Sequence, residues 1–274
     1  MTYGHPCFDE EAHLRVGRVH LAVAPLCNVQ CGFCDRRVCA GITMQHPGWA
    51  QRLLSPVEAL ERVRLLAAKQ PGDFVVGVAG PGEPLANPET FEVLRALRQE
   101  CPSFLRCLST NGLLLEEKTP ELAALGVTHV SVTVNAVDGQ VGEAIYGWVQ
   151  CRGVVFRGRE AAELMIARQL RGIRAAFRAG LTLKVNTVLM PGVNDAHLLE
   201  LACRVSEAGA RLLNIMPLIP GGQMRSARPP TPDELRRARL SCGKIIRQFR
   251  HCEQCSADTV RFPASSVVPA CQMP

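Results

Sequence analysis

Three thiols in one short stretch, Cys27-Asn28-Val29-Gln30-Cys31-Gly32-Phe33-Cys34, carry the most legible chemistry in this 274-residue chain. Thiolates suit iron–sulfur clusters and zinc. A C-x3-C-x2-C spacing, with an aromatic before the last cysteine, can close a single loop round one metal cluster. A cubane [4Fe-4S] cluster has four irons, so three protein sulfurs leave one iron open. A zinc loop would need a fourth ligand, and Cys39 in Asp35-Arg36-Arg37-Val38-Cys39 is the residue at hand for it.

Other candidates for chemistry are scattered along the chain. Cys7 and His13 stand six apart near the N-terminus, Cys107 lies in Leu105-Arg106-Cys107-Leu108-Ser109, and His251 precedes Cys252-Glu253-Gln254-Cys255. Alone, the first pair reads as surface, Cys107 as core, and the last pair as a zinc knuckle or redox pair. With Cys39 they make six further soft or borderline ligands, enough for three on each of two additional clusters. Cys101, Cys151, Cys203, Cys242 and Cys271 are read as non-ligands. Gly80-Pro81-Gly82-Glu83 is a turn whose glycines let backbone approach a ligand and whose carboxylate can hold an ammonium.

The elements that must position these residues alternate. Strands are read at 18 to 24, 74 to 79, 104 to 109, 129 to 134, 182 to 189 and 211 to 216. Helices are read near 56 to 69, opened by a Ser55-Pro56-Val57-Glu58 capping box, and near 88 to 100, 119 to 125, 160 to 179, 196 to 208 and 232 to 249. Six β/α units in a row predict a parallel sheet with crossover helices, an α/β fold. Ser131, Thr133 and Asn135 alternate with Val130, Val132 and Val134, and Thr182, Lys184 and Asn186 alternate with Leu183, Val185 and Thr187. The apolar set packs under helices, so the polar set faces the other way. An open doubly wound sheet needs both faces apolar. A curled sheet round a polar cavity, with its site at the strands' C-terminal ends, fits better.

With 47% hydrophobic residues the chain is read as one domain spanning 1–274, made of an N-terminal segment 1–17, a barrel portion 18–220 and a C-terminal portion 231–274. No signal-peptide core and no membrane-spanning run is present, so a cytoplasmic protein is expected. Thirteen cysteines in a reducing compartment then read as ligands, reactive thiols or small core residues rather than a disulfide framework. The net charge of +6 gathers at Arg236, Arg237, Arg239, Lys244, Arg247 and Arg250, either as a solvated helix face or as attraction for an anionic partner. Neither nucleic acid nor membrane is expected as a partner.

The cysteine spacing directly after an apolar strand resembles the signature of the radical S-adenosylmethionine (SAM) enzymes. That resemblance implies a partial (β/α)6 TIM-like barrel in which the open iron chelates SAM and delivers the electron that cleaves it to a 5′-deoxyadenosyl radical. It implies that Cys27, Cys31 and Cys34 are the catalytic cluster ligands and that Phe33, Gly80, Gly82 and Glu83 contact the cofactor, with the methionine amine at Gly82 and Glu83. Ser109, Asn135, Lys184 and Asn186, turned inward by alternation, are expected at the ribose or carboxylate of SAM.

A narrower resemblance is carried jointly by His5-Pro6-Cys7 to His13, Val23 to Cys34, Cys107 to Leu113, Asn135-Ala136-Val137-Asp138, Asn214 to Ile219 and His251 to Asp258. These stretches are similar to the NifB family of nitrogenase cofactor maturases. The resemblance implies that two [4Fe-4S] clusters bound as substrates are fused, with a SAM-derived carbide and an added sulfur, into an eight-iron precursor. Cys7, His13, Cys39, Cys107, Cys252 and Cys255 are the implied ligands of the two substrate clusters, partition open, with His13 the ligand suited to let go. SAM, cluster-donor and product-carrier proteins and a low-potential electron donor are the implied partners. The turn from Cys34 to Cys39 is one residue shorter than the family pattern and Gly221 to Pro230 is abbreviated. The chain stops at Pro274 without the small carrier domain of some members, which implies handover to a separate carrier. Competing readings are a radical SAM enzyme that modifies a peptide or RNA with auxiliary clusters, and a non-catalytic iron–sulfur scaffold. A scaffold has no need of an amine site like the Glu83 turn.

Overall fold

The computed structural model describes residues 4–41, 45–70 and 72–263. Six parallel strands, β1 Gly17–His20, β2 Phe74–Val78, β3 Arg106–Thr110, β4 Val127–Thr133, β5 Thr182–Leu189 and β6 Leu212–Pro217, follow one another in sequence order across a curled sheet. Helices α1 Pro56–Lys69, α2 Pro88–Glu100, α3 Leu115–Ala124, α4 Gly158–Arg178, α5 Leu198–Glu207 and α6 Pro232–Cys242 follow the successive strands. Val260–Arg261 adds a seventh, antiparallel strand along β1. The sheet is an open half-barrel with β6 at one edge and Val260–Arg261 at the other. No helix among the described residues is long and apolar enough to cross a membrane.

The two faces divide as the alternation predicts. Val130, Val132, Leu183 and Val185 are fully buried in the core beneath the helices, each contributing about 1.5–3 kcal/mol of burial. Ser131, Thr133, Lys184 and Asn186 face the hollow of the sheet. Lys184 stands opposite Ser131, and Asn186 opposite Thr133 and Asn214. The capping box at Ser55 forms, with Glu58 N–H donating to Ser55 Oγ at 3.3 Å and Ser55 N–H donating to Glu58 Oε2 at 2.8 Å.

Two elements depart from expectation. Helix α6 ends at Cys242 rather than 249: the chain passes through a turn at 243–246, and residues 247–249 are drawn off the helix axis by pairing with β6. Leu213 N–H donates to Arg247 O at 2.9 Å and Phe249 N–H to Leu213 O at 2.8 Å, so residues 247–249 run beside β6 and swing Cys252 and Cys255 toward the hollow. Between β4 and α4 lies a hairpin, Tyr146–Cys151 with Val154–Phe156, absent from the sequence reading. Arg236 and Arg237 of α6 are exposed, Arg236 pairing with Asp233, whereas Arg239 is half-buried and donates to Ile215 O; Arg228, before the helix, pairs with Glu234.

Candidate active site

The cysteine loop is held from three sides by backbone hydrogen bonds, with the side chains of Asn87 and Asn111 adding bonds at Leu26 and Asn28. Its middle, Val29–Cys31, forms a short strand against the hairpin, and Gly32 N–H donates to Ile145 O at 2.7 Å. On the second side, Gly82 N–H donates to Ala24 O at 2.6 Å and Glu83 N–H to Leu26 O at 2.7 Å. A β-carbon on Gly82 would run into the Leu26 carbonyl, so this turn accepts only glycine there. On the third, Gln223 N–H donates to Gly32 O at 2.7 Å, and a β-carbon on Gly222 would lie 2.9 Å from Cys34 O. The outcome is that Cys27, Cys31 and Cys34 line one cavity together with Phe33, Gly82, Glu83, Ser109 and Asn135. Burial raises all three thiol pKa values, Cys27 to about 11 and Cys31 further. Thiols so placed hold protons until a metal displaces them.

Glu83 is buried, and its carboxylate is turned into the protein. Oε1 accepts from Leu85 N–H at 3.0 Å and Thr110 Oγ1 at 2.5 Å, while Oε2 accepts only from Asn111 N–H, at 2.6 Å. Burial pushes its pKa up to about 7, against the pull of those three donors. An ionised carboxylate oxygen accepts two hydrogen bonds, so Oε2 keeps one site for an incoming cation. Removing the carboxylate leaves two backbone N–H groups and a hydroxyl without their acceptor, at about 1–3 kcal/mol each. Glu83→Ala is therefore expected to lower the melting temperature clearly. Glu83→Gln, which keeps an oxygen for Leu85 and Thr110, is expected to fold better but to bind SAM about tenfold or more weakly. Unchanged SAM affinity in the folded Gln variant would make Glu83 a purely structural residue.

A second cavity lies deeper in the hollow and adjoins the first through shared walls at Ala79, Ser109, Thr133, Met216 and Gln254. Cys7, Cys107, Cys252 and Cys255 all line it. Burial raises the Cys107 thiol strongly and pushes Cys255 up to about 11 despite nearby Arg18.

Five residues lie elsewhere than anticipated. Cys39 is exposed and lines neither cavity; its N–H is fixed to Ala50 O at 3.1 Å and its thiol rests on Ala40 O at 3.5 Å, so it does not complete a zinc site with the other three. His13 also lines neither cavity: Nδ1 donates to Pro6 O at 3.0 Å and Nε2 faces Glu253 at 3.7 Å. Lys184 and Asn186 face the second cavity rather than the first, because they sit below the C-terminal end of β5. Lys184 Nζ donates to Cys7 O at 2.9 Å between the rings of Phe8 and Phe249, and Asn186 Oδ1 accepts from Asn214 at 3.0 Å. Gly80 shapes the turn without lining the first cavity. Cys271 lies outside the described residues.

Residues not singled out by sequence also matter. His20 lines the second cavity and its Nδ1 donates to Ser256 O at 3.0 Å, which leaves the Nε2 lone pair uncommitted. His5 lines it too, but its Nδ1 accepts from Cys7 N–H at 3.0 Å, so its Nε2 carries the proton. Extending the alternation rule to β1 flags Arg18 and His20 as inward polar residues.

A curled parallel sheet with a three-thiol loop and a glycine–glutamate turn at its C-terminal ends is the architecture of a radical SAM enzyme, and the Radical SAM superfamily model matches residues 21–203. The chain is 43% identical over 260 residues to the FeMo cofactor biosynthesis protein NifB of Methanocaldococcus jannaschii, covering 95% of this chain and 86% of that protein. It is 42% identical over 268 residues to NifB of Frankia alni, covering 93% of this chain but 52% of that protein, so it spans about half the length of some of the relatives it matches. Streptococcus suis SuiB bound to S-adenosylmethionine shares the fold, with a TM-score of 0.61 at 14% identity over 89% of this chain and 53% of that one. The chain belongs to the radical SAM superfamily and, within it, to the family of the FeMo cofactor biosynthesis protein NifB.

The first cavity fits the [4Fe-4S] cluster and SAM of this superfamily. Cys27, Cys31 and Cys34 all line this one cavity, and thiolates are the ordinary protein ligands of iron–sulfur clusters. Asn135 Nδ2, on the same wall, is buried without a hydrogen-bond partner while Oδ1 accepts from Val188 N–H at 2.9 Å. A buried donor left unmatched points to a polar ligand.

Proposed function

We propose that this chain fuses two [4Fe-4S] clusters, bound as substrates in the second cavity, into one eight-iron precursor of the nitrogenase cofactor, with a carbide from the methyl group of SAM and one added sulfur. The observation that carries the reading is the wall the two cavities share at Pro47, Ala79, Ser109, Thr133, Met216 and Gln254. When bound in the first cavity, the [4Fe-4S] cluster and SAM supply a methyl group and the radical chemistry that removes hydrogen from it.

The chain's own residues divide that labour. Cys27, Cys31 and Cys34 hold the resident cluster. The open acceptor site on Glu83 Oε2 takes the methionine ammonium, and Ser109 and Asn135 meet the nucleoside part of SAM beside Phe33. Cys7, Cys107, Cys252 and Cys255 hold the substrate clusters. His20 takes the place of His13 as the nitrogen ligand: both donate Nδ1–H to a carbonyl, but His20 lines the second cavity with Nε2 uncommitted, whereas Nε2 of His13 faces Glu253. Arg18 and Lys184, both buried on the second cavity's wall, offset the negative charge of thiolate-bound clusters. The proposal calls for a cluster donor, a product carrier and a low-potential electron donor.

The test is an anaerobic turnover with SAM carrying carbon-13 in its methyl group. Carbon-13 hyperfine coupling in the released eight-iron cluster is the expected result. Label recovered only in small-molecule products, with no labelled cluster, would overturn the proposal.

A further inference from the structure

Among the described residues lining the first cavity, Arg36 and Glu83 are the only arginine, lysine or carboxylate side chains. The amino-acid end of SAM is a zwitterion, an ammonium and a carboxylate on one carbon. Glu83 can take the ammonium, which leaves the carboxylate without a protein cation beside the open iron.

The Arg36 guanidinium is not tied to another side chain, though its charge favours the thiolate forms of Cys27, Cys31 and Cys34. Asp35, the carboxylate beside it in sequence, is held by Arg37 through Nε at 3.0 Å and Nη2 at 2.7 Å. Arg36 makes no hydrogen bond or ion pair with any described residue. The position of a β-carbon on Gly48 lies 3.7 Å from Arg36 Cγ and 3.9 Å from Cys34 Sγ, so the arginine stem and a cluster thiol flank the same glycine. His46, the other basic side chain on this wall, has Nδ1 on Pro47 O at 2.6 Å and its ring stacked on Trp49 at 4.4 Å. Lys184 is committed to Cys7 O in the other cavity.

We propose that Arg36 binds the carboxylate of SAM, in the cavity that Glu83 also lines, an assignment that rests on the reading of this cavity as the SAM site. A guanidinium matches a carboxylate with two parallel N–H groups. The residue also stands near the cluster thiols, so a purely electrostatic role on the cluster is the rival to separate.

The experiment measures equilibrium binding of SAM and of decarboxylated SAM to the anaerobic, cluster-loaded chain, in wild type, Arg36→Gln and Arg36→Lys. Arg36→Gln should weaken SAM by about ten- to hundredfold and leave decarboxylated SAM within about twofold of wild type. Arg36→Lys should fall between, and it carries the comparison if the Gln variant fails to load its cluster. Equal losses for both ligands, accompanied by a shifted reduction potential of the SAM-free cluster, would overturn the carboxylate assignment in favour of the rival. No loss for SAM in either variant would overturn it too. Wild-type protein that binds SAM no better than background would overturn the SAM reading of the cavity, and this assignment with it.

Discussion

Cys31→Ala is expected to bring 5′-deoxyadenosine formation under dithionite down to background while the clusters of the second cavity still assemble. Cys31 supplies one of only three thiols in the first cavity, and two thiolates hold a cubane poorly. The loop itself should survive the change, because its fastenings at Ala24, Leu26, Gly32 and Ile145 are backbone groups and none involves the thiol. The check is chromatographic quantification of 5′-deoxyadenosine beside the iron content of the same sample. Wild-type yield from the variant would remove Cys31 from the cluster.

The second large effect concerns the second cavity. Cys107→Ala, and the double change of Cys252 and Cys255 to Ala, should each lose about four irons and stop formation of the fused product while SAM cleavage persists. Cys107 sits on β3 with its thiol turned into the hollow, whereas Cys252 and Cys255 arrive from the C-terminal segment beside β6. The two sets therefore approach from different walls, as two substrates held side by side require. Pulsed EPR should show nitrogen coupling to a substrate cluster that disappears in His20→Ala and survives in His13→Ala. Coupling lost only in the His13 variant would restore His13 as the ligand. Variants that keep full iron and product would return these thiols to the core.

Much of this arrangement is legible in the chain because its signals are local. The strand alternation at 130–135 and 182–187 sets which face is wet, and the cysteine loop and Gly82-Glu83 turn sit where a strand ends. The less legible parts depend on contacts far apart in sequence. Nothing near Lys184 says that its ammonium will be taken by Cys7 O, 177 residues away. His13 and His20 look alike as letters, and each donates Nδ1–H to a carbonyl; they part because His20 lines the second cavity while Nε2 of His13 faces Glu253. Glu83 reads as a free carboxylate until Thr110 and Asn111 fold back onto it. The hairpin had a local cue that the β/α rhythm masked: Arg152-Gly153 between two apolar runs, both residues at positive φ, 51° and 80°, as a two-residue turn requires. Helix α6 was extended too far because basic residues continue past Gly243, the residue at which the helix stops.

Iron counting on the anaerobically reconstituted wild-type chain tests the central claim most directly, since one resident cluster and two substrate clusters demand different totals from one cluster alone. About twelve irons per chain, falling to about eight in Cys31→Ala and in Cys107→Ala, is the predicted result. About four irons, all lost in Cys31→Ala and untouched in Cys107→Ala, would contradict the account and leave a single-cluster radical SAM protein with an empty second cavity.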